Sequence, residues 1–104
     1  MKKILFLVLS LSLLSACTTQ ILQAGEKDFQ QKNYSAAMEK LLPLANQGDP
    51  QAQYTVGYMY YTGQGIAKDK ALGRHWIDQA ASQGNIQAIK AQNILDRKQP
   101  LDPF

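Results

Sequence analysis

One short pattern occurs twice in this chain, 36 residues apart, and a repeat of that period leaves few folds open. Residues 44–52 align with residues 80–88, with Ala45/Ala81, Gln47/Gln83, Gly48/Gly84, Gln51/Gln87 and Ala52/Ala88 identical. A period in the middle thirties suits two-helix hairpins, each too small to bury its own apolar face and therefore stacked on its neighbours. The expected fold class is all-α, a short α/α solenoid of about five helices.

The first seventeen residues carry a different message. Lys2 and Lys3 precede an apolar run over residues 4–14, softened only by Ser10 and Ser12, and the run closes on Leu14, Ser15, Ala16 and Cys17. Such a run is too short to span a bilayer as a helix, but it suits the apolar centre of a secretory signal. The Leu-Ser-Ala-Cys ending resembles the lipobox of bacterial lipoproteins; the alternative is an ordinary signal peptide with an incidental cysteine. The resemblance implies removal of residues 1–16, diacylglyceryl and palmitate chains on Cys17, and a short tether over residues 17–23. Each buried methylene stabilises membrane attachment by roughly 0.8 kcal/mol, so several chains on one cysteine anchor a protein firmly. The same resemblance, with Thr18 rather than aspartate after the cysteine, implies export to the outer membrane of a Gram-negative envelope, facing the periplasm. A lone cysteine closes no internal disulfide.

Processing also alters the charge. The full chain has eleven lysines and arginines against eight acids, a net +3. Loss of Lys2 and Lys3 leaves nine against eight, +1, with no basic stripe. Nucleic acid is therefore not an expected partner.

Helical signals fill residues 24–98. Ala24 and Phe29, among helix-favouring neighbours, predict a first helix over residues 24–31 after an extended leader at residues 18–23. Asn33 is placed to cap a helix over residues 34–47, whose Ala37, Leu41, Leu44 and Ala45 recur at helical spacing. Pro43 inside it predicts a tolerated kink, with a functional hinge as the alternative. Asp49 and Pro50 make a helix start, because the carboxylate accepts orphan amides and proline at the first position has no amide to leave unpaired. In the helix over residues 50–62, Ala52, Val56, Gly57 and Tyr60 share one arc, and Tyr54, Tyr58 and Tyr61 share the opposite one. Gly63 and Gly65 mark a turn, after which Ile66 drops back as a plug and Asp69 caps the next helix. Over residues 70–83 the expected core stripe is Leu72, Gly73, Trp76, Ile77, Ala80 and Ala81, closed by Gly84. Asn85 opens a last helix to about residue 97, with Ile86, Ala88, Ile89, Ala91, Ile94 and Leu95 available for packing. Here the repeat decays: Gln92 and Asn93 stand where Val56 and Gly57 stood, as expected of an end with no next repeat to cover. Residues 99–104, with two prolines, predict an extended tail whose Leu101 and Phe104 tuck back or enter a partner.

Ala52, Gly57, Tyr60, Gly63, Gly65, Asp69, Trp76, Ala80, Ala81 and Gly84 together resemble the Sel-one-like repeat, a relative of the tetratricopeptide repeat. Gly73 departs from the pattern, where alanine is usual, and as a helix-interior glycine is expected to loosen its helix by about 1 kcal/mol. The resemblance implies a right-handed superhelix of antiparallel helix pairs. It also implies a protein-interaction module with no particular reaction.

Catalysis finds no footing in the residues. His75 is the only histidine and neighbours Trp76, so it is expected to point outward; no histidine cluster, metal site, cofactor or triad is assigned. The acids Glu26, Asp28, Glu39, Asp49, Asp69, Asp78, Asp96 and Asp102 are dispersed, and no pair has an acid–base spacing. The candidate partner-binding residues are Tyr54, Tyr58 and Tyr61, because tyrosine offers large contact area, a polar tip and little side-chain entropy to lose. Their alternative role is packing within the stack. The leading functional expectation is a membrane-anchored interaction module of the bacterial envelope, an adaptor, scaffold or immunity-type protein for another envelope or secreted protein. A self-associating structural lipoprotein is the second reading and a cell-wall-related enzyme the third.

Overall fold

A computed structural model describes the backbone of residues 2–98 and the side chains of residues 16–97. It contains five helices: α1 Lys2–Gln30, α2 Tyr34–Asn46, α3 Pro50–Thr62, α4 Lys70–Ser82 and α5 Ile86–Lys98, with no strand among the described residues. Each packs chiefly on its neighbour in sequence, and the α3–α4 interface is the most extensive. This is the expected all-α stack of helical hairpins. Residues 18–23, expected as an extended leader, instead continue α1, where residues such as Leu22 already pack against the core. The proposed tail at residues 99–104, with Leu101 and Phe104, lies outside the described residues.

The breaks between helices follow the capping chemistry. Asp49 accepts a hydrogen bond from the Ala52 amide at 2.9 Å, and Asp69 from the Leu72 amide at 3.0 Å. Asn85 does the same for the Ala88 amide, at 2.9 Å. Asn33 occupies the cap position of α2 but its side chain makes no cap bond; its carbonyl, rather than its amide group, receives the Ala37 amide. Gly48 and Gly84 end α2 and α4 with φ of 98° and 87°, a left-handed conformation that a side chain would strain. Pro43 lies inside α2 as expected, on its exposed side.

Two apolar clusters hold the stack. The larger joins Ala37, Met38, Leu41, Leu44 and Ala45 of α2 to Ala52, Val56 and Met59 of α3, with Tyr60, Ile66 and Trp76 packed around it. The smaller joins Ile77 and Ala80 to Ala88, flanked by Tyr54, Ala81, Ala91 and Leu95. Ile66 thus does return to the core. Leu72 is a correction to the expected stripe, for it is 36% exposed. So are Ile86, Ile89 and Ile94, at 68%, 39% and 54%, because α5 is the last described helix and only its Ala88, Ala91 and Leu95 side meets the stack.

Between α3 and α4 the backbones come very close. A Cβ added at Gly57 would meet the Gly73 carbonyl oxygen at 2.8 Å, and one added at Gly73 would meet the Gly57 carbonyl oxygen at 2.6 Å. The two glycines face each other, which periodicity alone does not reveal.

Polar groups stitch successive hairpins at their ends. The Gln83 amide donates to the Gly48 carbonyl at 3.0 Å and to Gln53 Oε1 at 2.8 Å, while Gln53 donates to the Ala45 carbonyl at 3.2 Å. Gln53 is buried, and its amide is satisfied at both ends, as burial of a polar group requires. Gln92, the polar replacement for Val56, donates to Asp78 at 2.8 Å, and Arg74 pairs with both Asp78 and Asp96. The repeat therefore decays into an ionic α4–α5 seam rather than into bare solvent.

Candidate functional site

Helix α3 has three surfaces. Gly57 meets α4, while Ala52, Val56 and Met59 enter the core with α2. The remaining surface carries Tyr54, Tyr58 and Tyr61. All three tyrosines line one recess of about 380 Å³, whose far wall is built by Ala91, Ile94 and Leu95 of α5. A second recess, of about 350 Å³, lies between α1 and α3 and is lined by Glu26, Phe29, Gln51, Tyr54, Thr55 and Tyr58. Tyr54, Tyr58 and Gln87 belong to both. Alternate helices thus frame one broken groove, with the α3 tyrosines as its floor and divider.

The tyrosines differ in how free they are. Tyr58 is 40% exposed, Tyr54 and Tyr61 are half-buried, and Tyr54 also packs against the Ile77, Ala80 and Ala88 cluster. Tyr58 meets Phe29 edge to face at 6.0 Å between centroids, and Tyr54 at 6.5 Å with the rings tilted. Lys70 Nζ sits 5.7 Å from the Tyr61 ring centre, a cation–π contact. The Tyr54 and Tyr58 hydroxyls have no hydrogen-bond partner among the described residues. Burial raises the Tyr54 pKa, with the nearby Tyr58 and Glu26 adding to the shift, so its hydroxyl stays a donor at neutral pH.

Glu26 is the one carboxylate in the two recesses. Its Oε1 accepts from the buried Thr55 hydroxyl at 2.6 Å. Burial raises its pKa above the usual 4.5, the hydrogen bonds from Thr55 and Gln51 oppose this, and the Asp49 charge adds to the rise. The folded protein therefore binds this proton more tightly than the unfolded chain. The resulting stability is complete below the unfolded pKa and lost as pH rises through the higher folded value. Glu26→Gln is accordingly expected to melt higher than the parent at neutral pH and level with it near pH 3.5, in about the range where both forms are uncharged. Thermal denaturation at the two pH values checks the sign.

The remaining sequence-chosen residues have structural places. Tyr60 and Trp76 pack on the larger cluster, Ala80 is fully buried, Ala81 is half-buried, and Gly63 and Gly65 form the α3–α4 turn with φ of 76° and 72°. His75 is exposed. Cys17 is exposed on α1. No group of three or more metal-ligating side chains occurs among the described residues. No helix of the described residues is long and apolar enough to cross a membrane. Sequence reasoning missed Glu26, Phe29, Ile94 and Leu95 as groove residues. The Gln51/Gln87 identity did carry a signal, since both side chains line the groove from equivalent positions of α3 and α5.

A hairpin with facing small residues, a glycine-rich turn and an aromatic first helix, α3, has a family counterpart. Residues 50–85 match the Sel1 repeat. The matched span is α3, α4 and the turn that opens α5. Sel1 repeats mediate protein–protein interaction, and proteins built from them are typically adaptors or regulators. The chain is also 31% identical over 87 residues to the chitin synthase regulator SKT5 of Saccharomyces cerevisiae, covering 84% of this chain and 12% of that protein. To the ERAD-associated E3 ubiquitin-protein ligase component HRD3 of Candida glabrata it is 39% identical over 56 residues, 54% of this chain and 7% of that one. The matched region is thus a small fraction of either relative. No solved structure matches the chain significantly.

Proposed function

We propose that this chain is a lipid-anchored binding protein of the bacterial envelope, an adaptor, scaffold or immunity-type subunit, that acts by binding and not by catalysis. The observation that carries the reading is the groove: the three tyrosines of α3 line one recess, and none of their hydroxyls has a hydrogen-bond partner among the described residues. Apolar rings with free polar tips suit a polypeptide surface. The two relatives, one named a regulator and the other a ligase component, fit a role exerted through other proteins. The anchor rests on the lipobox-like ending at Cys17, and on its being exposed.

Site-specific photocrosslinking in the envelope of a Gram-negative host tests the groove. A benzoyl-phenylalanine at position 58 is expected to trap one discrete protein, and the same group at exposed position 75 is expected to trap none. Equal trapping at both sites overturns the groove reading. Radiolabelled palmitate should enter the parent and not Cys17→Ser, and membrane fractionation should release the variant.

Self-association is kept as a second reading because Ile86, Ile89 and Ile94 are exposed on the last described helix. In that case light scattering of the full chain in detergent shows a dimer whose mass falls to the monomer value in Ile86→Glu/Ile89→Glu. A monomer at all concentrations removes it.

A further inference from the structure

The recess between α1 and α3 pairs a carboxylate with a set of aromatic rings and gives that carboxylate no counter-ion. Glu26 is supported by two neutral donors, Thr55 and Gln51, and forms no ion pair among the described residues. Several cations of the described residues are engaged elsewhere. Lys40 pairs with Asp28, Arg74 with Asp78 and Asp96, and Lys70 lies over Tyr61. Lys90 lines the adjoining recess without pairing with Glu26. A second acid, Asp49, adds its negative charge to the surroundings of Glu26.

A half-buried carboxylate without a counter-ion is unfavourable to the folded state unless a cation arrives to face it. The walls suit such a cation. Phe29, Tyr54 and Tyr58 line the same recess as Glu26, with Phe29 and Tyr58 nearly perpendicular at 86°. Ring faces attract a desolvated cation, and a carboxylate at the same point adds charge and hydrogen bonding. A lysine or arginine side chain satisfies both demands, with an apolar stem for the rings and a donor tip for Glu26. The adjoining recess, walled by Ala91, Ile94 and Leu95, is apolar, so a neighbouring residue of the same strand of polypeptide finds an apolar seat there.

We propose that the recess of Glu26, Phe29, Tyr54 and Tyr58 receives one lysine or arginine side chain of the bound polypeptide, next to an apolar residue seated between the α3 tyrosines and α5. This rests on the groove being a polypeptide-binding surface, and it specifies the chemistry of the partner: a basic residue beside an aliphatic or aromatic one.

The test uses nuclear magnetic resonance of the full 104-residue chain in detergent micelles. The probes are capped leucyl-arginyl-leucine, its neutral counterpart leucyl-norleucyl-leucine, and choline. The arginine peptide is expected to give saturable shifts at Glu26, Phe29 and Tyr58 and to bind roughly five- to tenfold tighter than the norleucine peptide, the preference that one cation–π and carboxylate contact supplies. Glu26→Gln keeps an acceptor for Thr55 while removing the charge, and should abolish that preference. Tyr58→Leu, at an exposed position, should reduce it. Equal binding of the two peptides to the parent, or a preference that survives Glu26→Gln, overturns the proposal. Choline displacing the arginine peptide also overturns it, by assigning the recess to a quaternary ammonium group. Shifts at Tyr61 and Ile94 from both peptides alike leave the wider groove reading standing, whereas silence of every groove resonance removes that reading together with the proposal.

Discussion

Replacing Gly73 with alanine is expected to lower the melting temperature by roughly 8–16 °C, although helix propensity alone argues for a rise. An alanine in a helix interior is favoured over glycine by about 1 kcal/mol. Here the new methyl would stand 2.6 Å from the Gly57 carbonyl oxygen, 2.6 Å from the Tyr61 amide nitrogen and 2.9 Å from its Cα. Those are backbone atoms of α3, which cannot rotate aside as a flexible side chain can. Relief requires α3 and α4 to separate, and separation loosens the most extensive interface of the fold. Overpacking of this kind costs about 3 kcal/mol, so a net loss of about 2 kcal/mol remains after the propensity gain. Gly57→Ala is expected to act in the same direction, with clashes at the Gly73 carbonyl and at Ile77. The double variant should cost less than the sum, because the first methyl already moves the helices apart. Circular dichroism melts of the three variants check this, and a higher melting temperature for Gly73→Ala would show that propensity wins.

That reversal shows where the sequence stops being readable. Capping residues carry much of their reason locally, so Asp49 and Asp69 could be placed as caps from their neighbours, and both side chains accept first-turn amides, as does that of Asn85 at the start of α5. Asn33, placed in the same way, makes no side-chain cap bond, and its carbonyl takes the Ala37 amide instead. The stripe of Ala52 and Val56 was legible for the same local reason, since a helical period needs no partner to be seen. Gly73 looked like a local weakness because its meaning lies on another helix. Leu72 and Ile86 failed similarly: apolar residues on a helix face are available for packing, but whether anything covers them depends on the neighbouring elements. Residues 18–23 read as a polar leader by composition, whereas tertiary contact of Leu22 favours continuation of the helix.

The groove was half legible. Spacings of four and three placed Tyr54, Tyr58 and Tyr61 on one face, and the structure keeps them together at one recess. Glu26 and Phe29 were unreadable as site residues because they precede the repeat and reach the groove only through the packing of α1. Glu26 matters through its charge: a carboxylate in a half-buried aromatic recess, at some expense of folded-state stability, matches the cation proposed for that recess, and Phe29 supplies one of its ring walls. The Thr55 bond fixes its position but does not neutralise it.

Tyr58 and Tyr54 should separate recognition from packing when each is changed to alanine. Tyr58 is 40% exposed and belongs to both recesses, so Tyr58→Ala removes a wall from each while leaving both apolar clusters intact. Its melting temperature is expected to fall by only a few degrees, in line with about 0.5–1 kcal/mol of lost ring contact with Phe29 and Tyr54. Partner binding is expected to weaken roughly 30-fold or more, the loss typical of a central aromatic anchor worth about 2 kcal/mol or above. Tyr54→Ala should lose both properties, because that ring also packs on Ile77, Ala80 and Ala88. Once the crosslinked partner is in hand, calorimetric titration and thermal melts on the same two variants give the comparison. A Tyr58→Ala protein that binds like the parent would move the partner off the groove. A Tyr58→Ala protein that unfolds as readily as Tyr54→Ala would instead make the whole tyrosine face part of the packing, and the unpartnered hydroxyls would lose their functional meaning.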